Sequence, residues 1–212
     1  LPQESRETDD SYDVRLSRST VVPYLQRIEK MLSGMLVRKP VRLDDVSDLV
    51  REQLFDVDLE GNDLNVWLYQ TARQAISFGH IGVLVDAPKE GDKARPYWVT
   101  YTPKDILGFR TEIIDGVRQL TQVRLLEQIV EPDGKYGDKI IKQIRVLERG
   151  RYEIHRKDAK KSEYKLFEQG EMSIKDKIPF AIAYSNRVGY FESRSPLYDI
   201  AELNLKHYQI QS

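Results

Sequence analysis

The sequence predicts an α+β protein in which amino-terminal helices precede a mainly antiparallel β-sheet region and a further helix ends the chain. Three observations predict it. Up to Gly79 apolar residues recur at spacings of three and four, the period of a helix with one buried face. Beyond Gly79 short runs of alternating apolar and polar residues are separated by turn dipeptides, the pattern of strands. From Pro196 the helical spacing returns.

The elements follow in order. Residues 1–10 are polar and acidic and are expected to form a flexible arm. Helical character starts at Tyr12, and Leu25, Ile28, Leu32 and Met35 fall on one face, with Arg27, Glu29 and Lys30 elsewhere. Pro23 lacks the N–H that would bond the carbonyl of Ser19, so the helix kinks or restarts there. A short helix is expected after Asp44 as its cap, with Val46, Leu49, Val50 and Leu54 inward. A third runs from about Asn62 to Phe78, burying Leu64, Trp67, Leu68, Ala72, Ala75 and Ile76, and Gly79 stops it.

Ile81 to Val85 is a continuous apolar run, expected to be a strand buried on both faces. A charged loop from Ala87 to Arg95 leads to a strand at Trp98–Thr102, a helical turn opened by Pro103 and Asp105, and an extended run from Phe109 to Ile114. Asp115-Gly116 is the strongest hairpin signal, because a type I′ turn needs positive φ at both central positions. Val117–Ile129 and Ile140–Leu147 alternate across a Pro132-Asp133-Gly134 turn. Arg151–His155, Tyr164–Phe167 and Phe180–Tyr184 extend the series, which predicts a meander. The last helix opens at Pro196 with Leu197, Ile200, Leu203 and Leu205 apolar.

Composition narrows the function classes. The 212 residues carry 33 Lys plus Arg against 34 Asp plus Glu, a net charge of -1, so nothing in bulk favours holding nucleic acid and any DNA contact must be local or weak. Mean hydropathy is -0.55 and no apolar run approaches the roughly 20 residues of a membrane span. Without cysteine there are no disulfides or Cys-based zinc sites, in keeping with a reducing cytoplasm. The chain starts at Leu1 without a methionine and stops at Ser212 inside a helical pattern, so both ends are expected to be cuts in a longer protein.

Catalytic signatures are missing: there is no phosphate-cradling G-x-x-x-x-G-K-[ST], no G-x-G-x-x-G and no G-x-S-x-G. His80, His155 and His207 have no second histidine at metal-ligand spacing. Asp56, Asp58, Glu60 and Gly61 imitate the start of a calcium loop, but its twelfth position is Trp67 rather than a bidentate glutamate, so the cluster reads as the acidic approach to a helix. No catalytic, cofactor-binding or metal-ligating residue is therefore expected, and the chain is not expected to be an enzyme. The alternative is a metal-dependent nuclease using Asp56, Asp58 and Asp86. The basic clusters, Arg38-Lys39-Pro40 with Arg42 and Lys157 with Lys160-Lys161, are broken by acids and aliphatics and read as solvated turns. Trp67, Trp98 and Tyr184 fit core positions better than base-stacking platforms, and no DNA-contacting residue can be named.

Four stretches resemble one family, the portal proteins of tailed phages: Ile28 to Pro40, with its exit from a helix into Arg-Lys-Pro; Asp56 to Pro88, a helix-to-strand unit ending in Val-Asp and Pro; Arg95 to Arg110, a strand, short helix and strand; and Ile178 to Ser212, a strand followed by a helix. They stand in the family's order. Pro23 inside the first helix departs from the pattern, and no stem, clip or crown follows. The resemblance implies a portal wing divided into an acidic arm at 1–10, a helical part at 11–79, a β-rich part at 80–185 and, at 186–212, a loop and the start of a helix leading toward a missing stem. It also implies a head-tail connector ring, commonly of twelve subunits, at one vertex of the virion capsid. Its partners would be the major capsid protein, the terminase, a head-tail adaptor protein and double-stranded DNA passing without sequence specificity, with no cofactor and no membrane. Within such a ring the acidic arm, at Glu4, Glu7, Asp9 and Asp10, is expected to meet a neighbouring subunit near Arg15, Arg18, Arg27, Arg38, Lys39 and Arg42, the candidate interface residues.

Overall fold

The computed structural model describes residues 2–87, 95–157 and 163–211, and places them in two compact units. The chain is α+β, with amino-terminal helices, a strand region of mainly antiparallel sheets and a helix at the carboxyl end. Most of the charged loop from Ala87 to Arg95, Lys160-Lys161 and Ser212 lie outside the described residues.

The first unit comprises Leu1–Asp56, Asn62–His80 and Tyr184–Ser212. It holds helices α1 (Asp9–Arg18), α2 (Tyr24–Leu36), α3 (Asp48–Gln53), α4 (Leu64–Phe78) and α5 (Tyr198–Gln211). The chain does not continue from α1 into α2. Ser19 ends α1 in extended geometry and Pro23 stands immediately before α2, so the proline restarts the helix. The expected arm is shorter than residues 1–10, because Thr8 caps α1 through Oγ1 and Asp9 and Asp10 form its acidic first turn. Likewise the cap of α3 is Ser47, not Asp44, and Leu49 and Val50 are exposed rather than inward, since a helix of six residues has too little face to bury both.

Helix α4 is the centre of this unit. Asp63 Oδ1 accepts from Val66 N at its start, and Trp67, Thr71, Ala75 and Ile76 are buried. Thr71 stands between Trp67 and Ala75 on the same stripe, a polar residue at a position of the apolar period, and Leu64, Leu68 and Ala72 are half-buried. Two serines close the far end: Ser185 Oγ donates to the carbonyls of Ala75 and Gly79 at 2.8 and 2.9 Å, and Ser195 Oγ to that of Ile76 at 2.8 Å. Gly79 stops the helix at φ 90°, and a side chain there would meet Ser193 Oγ and the backbone of Arg194. Glu29 of α2 binds Arg73 at 3.1 Å and Ser77 at 3.0 Å, joining α2 to α4, and Tyr24 meets His207 of α5 edge to face at 5.7 Å.

The second unit comprises Val57–Gly61 and Ile81–Ala183. The boundaries thus differ from the expected division in two places. Val57 is fully buried and its carbonyl accepts from Trp98 N at 2.7 Å, which draws Val57–Gly61 to the strands. Residues 184–212 cluster with the amino-terminal helices instead of standing apart. The strands form two sheets. Three strands run in the order β2 (Tyr97–Tyr101), β1 (His80–Asp86), β8 (Phe180–Tyr184), and a meander of five comprises β3 (Ile106–Ile114), β4 (Val117–Asp133), β5 (Gly137–Glu148), β6 (Arg151–Lys157) and β7 (Tyr164–Glu171). The short β9 (Arg187–Gly189) and β10 (Glu192–Ser193) pair separately in the first unit.

Ile81, Leu84, Tyr101, Val123, Leu125, Leu147 and Ile154 are the strand core. Val85 is 41 % exposed, so β1 is not buried along both faces as its apolar run implies. Asp115 and Gly116 take φ of 51° and 77° between the paired Ile114 and Val117, as a type I′ turn requires. Residues 103–105 form a hydrogen-bonded turn rather than a helical one, closed by Asp105 Oδ2 accepting from Thr102 N and Oγ1.

Candidate subunit interface

The six basic residues named from the sequence do not share one fate. Arg15 is engaged within its own chain: its Nε and Nη2 donate to both carboxylate oxygens of Glu7 at 2.8 and 2.7 Å, and Nη2 also reaches the carbonyl of Pro2. The bidentate pair holds the Glu7 carboxyl below its ordinary range, chiefly through the hydrogen bond from Arg15. Within the chain Arg15 and Glu7 are thus each other's partners. Arg18, Arg27, Arg38, Lys39 and Arg42 are exposed.

The helices beneath them leave large apolar surface uncovered. No residue of α1 is buried. A helix of ten residues is marginal in water without tertiary packing, so α1 as it stands lacks most of what normally stabilises a helix. On α2 the side turned to α4 carries Glu29 and the fully buried Ser33, with Leu25, Ile28 and Leu32 half-buried. The opposite side carries Arg27, Met31 and Met35 at spacings of four, and Met31 and Met35 are 57 % and 66 % exposed. Met35 keeps the face that its spacing from Ile28 gives it but is uncovered there. Leu36, Leu49 and Phe55 are each more than two-thirds exposed. Along α5, Leu203 and Leu205 are exposed too, although both belong to the apolar set of that helix.

The second unit holds the densest charge cluster. Arg145 on β5 lies 2.5 Å from Asp86 Oδ2, at the end of β1, and 2.9 Å from Glu127 Oε1 on β4. Tyr97 donates to Asp86, while Tyr101 and Gln143 donate to the two oxygens of Glu127 at 2.7 Å. Burial works to lower the pKa of Arg145, but the fields of Glu127 and Asp86 outweigh it and raise the value. Burial, then Glu127, pushes the Tyr101 phenol far above its ordinary value. Each carboxylate of the group is held by Arg145 and by a neutral donor, although Arg145 Nε itself approaches Glu127 without an aligned hydrogen bond, so the group reads as a cross-link between the two sheets. No apolar period marks Arg145, Glu127 and Gln143; their signal in the sequence is a polar residue where β4 and β5 should turn a side chain inward.

The acids of the nuclease alternative are apart in role. Asp86 is held by Arg145 and Tyr97, and Asp58 Oδ1 accepts from the backbone of Glu60. Among the described residues no three His, Cys, Asp or Glu side chains are grouped to hold a metal ion, and no helix is long and apolar enough to cross a membrane. His80 is buried with Nδ1 at 2.7 Å from Ser193 Oγ, and His155 pairs with Glu153. No protein-family model matches the chain, and no curated protein matches it.

Proposed function

We propose that this chain is the wing part of a portal protein, a structural subunit of a closed ring at one vertex of a phage capsid. One observation supports the reading from the structural side: α1 buries nothing and α2 turns methionines outward, so the helical unit has apolar surface that a neighbouring chain would cover. The portal assignment itself rests on the resemblance of the four stretches. In this reading the protein is not an enzyme; it forms the conduit for DNA packaging and ejection, and docks the terminase, the head-tail adaptor and the major capsid protein. A net charge of -1 suits a conduit, because each strong phosphate contact would hold DNA that must slide.

A metal-dependent nuclease has less behind it, since Asp86 is already neutralised by Arg145. The test is native mass spectrometry with negative-stain imaging of the full-length gene product. A closed ring, commonly of twelve, is expected; a monomer with metal-stimulated nuclease activity that Asp58→Ala abolishes would replace the proposal by its alternative.

A further inference from the structure

Two helix faces in the first unit are exposed, and their chemistry matches. Around α1 the residues opposite Arg15 are Leu16, Asp9, Asp13, Ser17, Asp10 and Val14, which fill one continuous side at the helical period. All six are exposed, with Val14 and Leu16 at 48 % and 41 %. Arg15, on the other side, is tied to Glu7 and cannot neutralise these acids. The outward side of α2 is the reverse: Met31 and Met35 with Arg27 on the helix, followed by Arg38 and Lys39 at its exit. Gly34 lies on the same side, with open space where its side chain would be. A helix face mixing acids with two aliphatics thus has, in the same chain, a counterpart mixing bases with two methionines.

We propose that this outward face of α2 is the docking surface for α1 of the next copy of the chain, Asp10 and Asp13 meeting Arg27 and Arg38 while Val14 packs on Met31 and Met35. The proposal rests on the ring reading and specifies its contact. The two faces differ, so the contact is heterologous and repeats from copy to copy until a ring closes. The bidentate Glu7–Arg15 pair sets which side of α1 is presented, by holding the segment before the helix against its back. The methionines suit this role, being flexible enough to fill the gaps between two helices. Charge complementarity fixes register and partner choice more than it adds affinity.

The test is a charge exchange in the full-length protein. Asp10→Lys with Asp13→Lys, and separately Arg27→Glu with Arg38→Glu, should each weaken ring assembly roughly tenfold, as expected for two exposed pairs. The fourfold variant should regain it. Since the chain has no cysteine, Val14→Cys and Met31→Cys report the contact directly. Mixing the two single variants under mild oxidation should give an intermolecular disulfide, with circular dichroism verifying that each is folded. A wild-type protein that stays monomeric would sink the ring reading and this contact with it. A wild-type ring indifferent to both reversals, or a disulfide formed only within one chain when both cysteines are combined, would overturn the contact alone.

Discussion

Arg145 on β5 and Asp86 at the end of β1 face each other at 2.5 Å, linking the meander to the three-stranded sheet, with Glu127 on the other side of the guanidinium at 2.9 Å. Removing one member of a buried pair costs more than the pair contributes, because the charges left behind have lost their solvation. Their side chains retain 21 %, 23 % and 11 % exposure for Arg145, Asp86 and Glu127, so the penalty falls below the fully buried case. Arg145→Met should therefore destabilise the chain by about 2 kcal/mol. Combining it with Asp86→Asn and Glu127→Gln should restore at least half of that loss, because no uncompensated charge then remains. Urea denaturation followed by fluorescence measures both.

Two glycines predict opposite degrees of tolerance for an added methyl group. Gly82 in β1 faces Phe180 and Ile106, and a Cβ there would overlap the ring. Gly82→Ala should cost about 2 kcal/mol through overpacking. Gly116 has open space around it but sits at φ 77°, so Gly116→Ala should cost only about 1 kcal/mol, all of it backbone strain. Equal losses at the two sites in denaturant melts would show that the sheets repack around Gly82.

His80 gives the first unit a pH dependence. Burial lowers its pKa from the usual value, so the folded state favours the neutral ring, whose Nδ1 meets Ser193 Oγ while Tyr184 lies alongside at 6.0 Å. A group whose folded pKa lies below its unfolded value binds fewer protons when folded, so stability falls as pH drops through about 6.5 and continues falling toward the folded value. Thermal melts at pH 7.5 and 5.5 should differ, and the difference should shrink in His80→Gln, which keeps a polar group beside Ser193 but does not titrate.

What the sequence revealed and what it hid divide along local and nonlocal chemistry. The turn at Asp115-Gly116, the stop at Gly79 and the restart at Pro23 are read correctly because φ preferences act on one or two residues. Val85 is misread, and the exposure of Met35 goes unseen, because apolar spacing identifies a face without saying whether anything covers it. The bond from Arg15 to Glu7, eight residues away across the start of a helix, leaves no mark in the sequence pattern. The cluster of Asp86, Glu127 and Arg145 joins positions up to 59 residues apart, and only the register of β4 against β5 brings Leu125 and Arg145, with Glu127 and Gln143, side by side.

A last prediction concerns the end of α5, where Leu203 and Ile210 lie seven residues apart on one side and are 65 % and 84 % exposed. Neither packs much within the chain, so Leu203→Gln with Ile210→Gln should change the unfolding free energy by no more than about 0.5 kcal/mol. Exposed leucine and isoleucine on one stripe nonetheless favour self-association, and the double variant should scatter less light at equal concentration. Salt separates this surface from the contact between α1 and α2. Apolar association strengthens in sulfate, whereas pairing of aspartates with arginines is screened within a Debye length of about 8 Å at physiological ionic strength. Association that rises with ammonium sulfate in the wild type and is flat in the double variant assigns the apolar part to α5. An unchanged rise in the double variant would move that role to the remaining exposed apolar residues, Leu36, Leu49 and Phe55 among them.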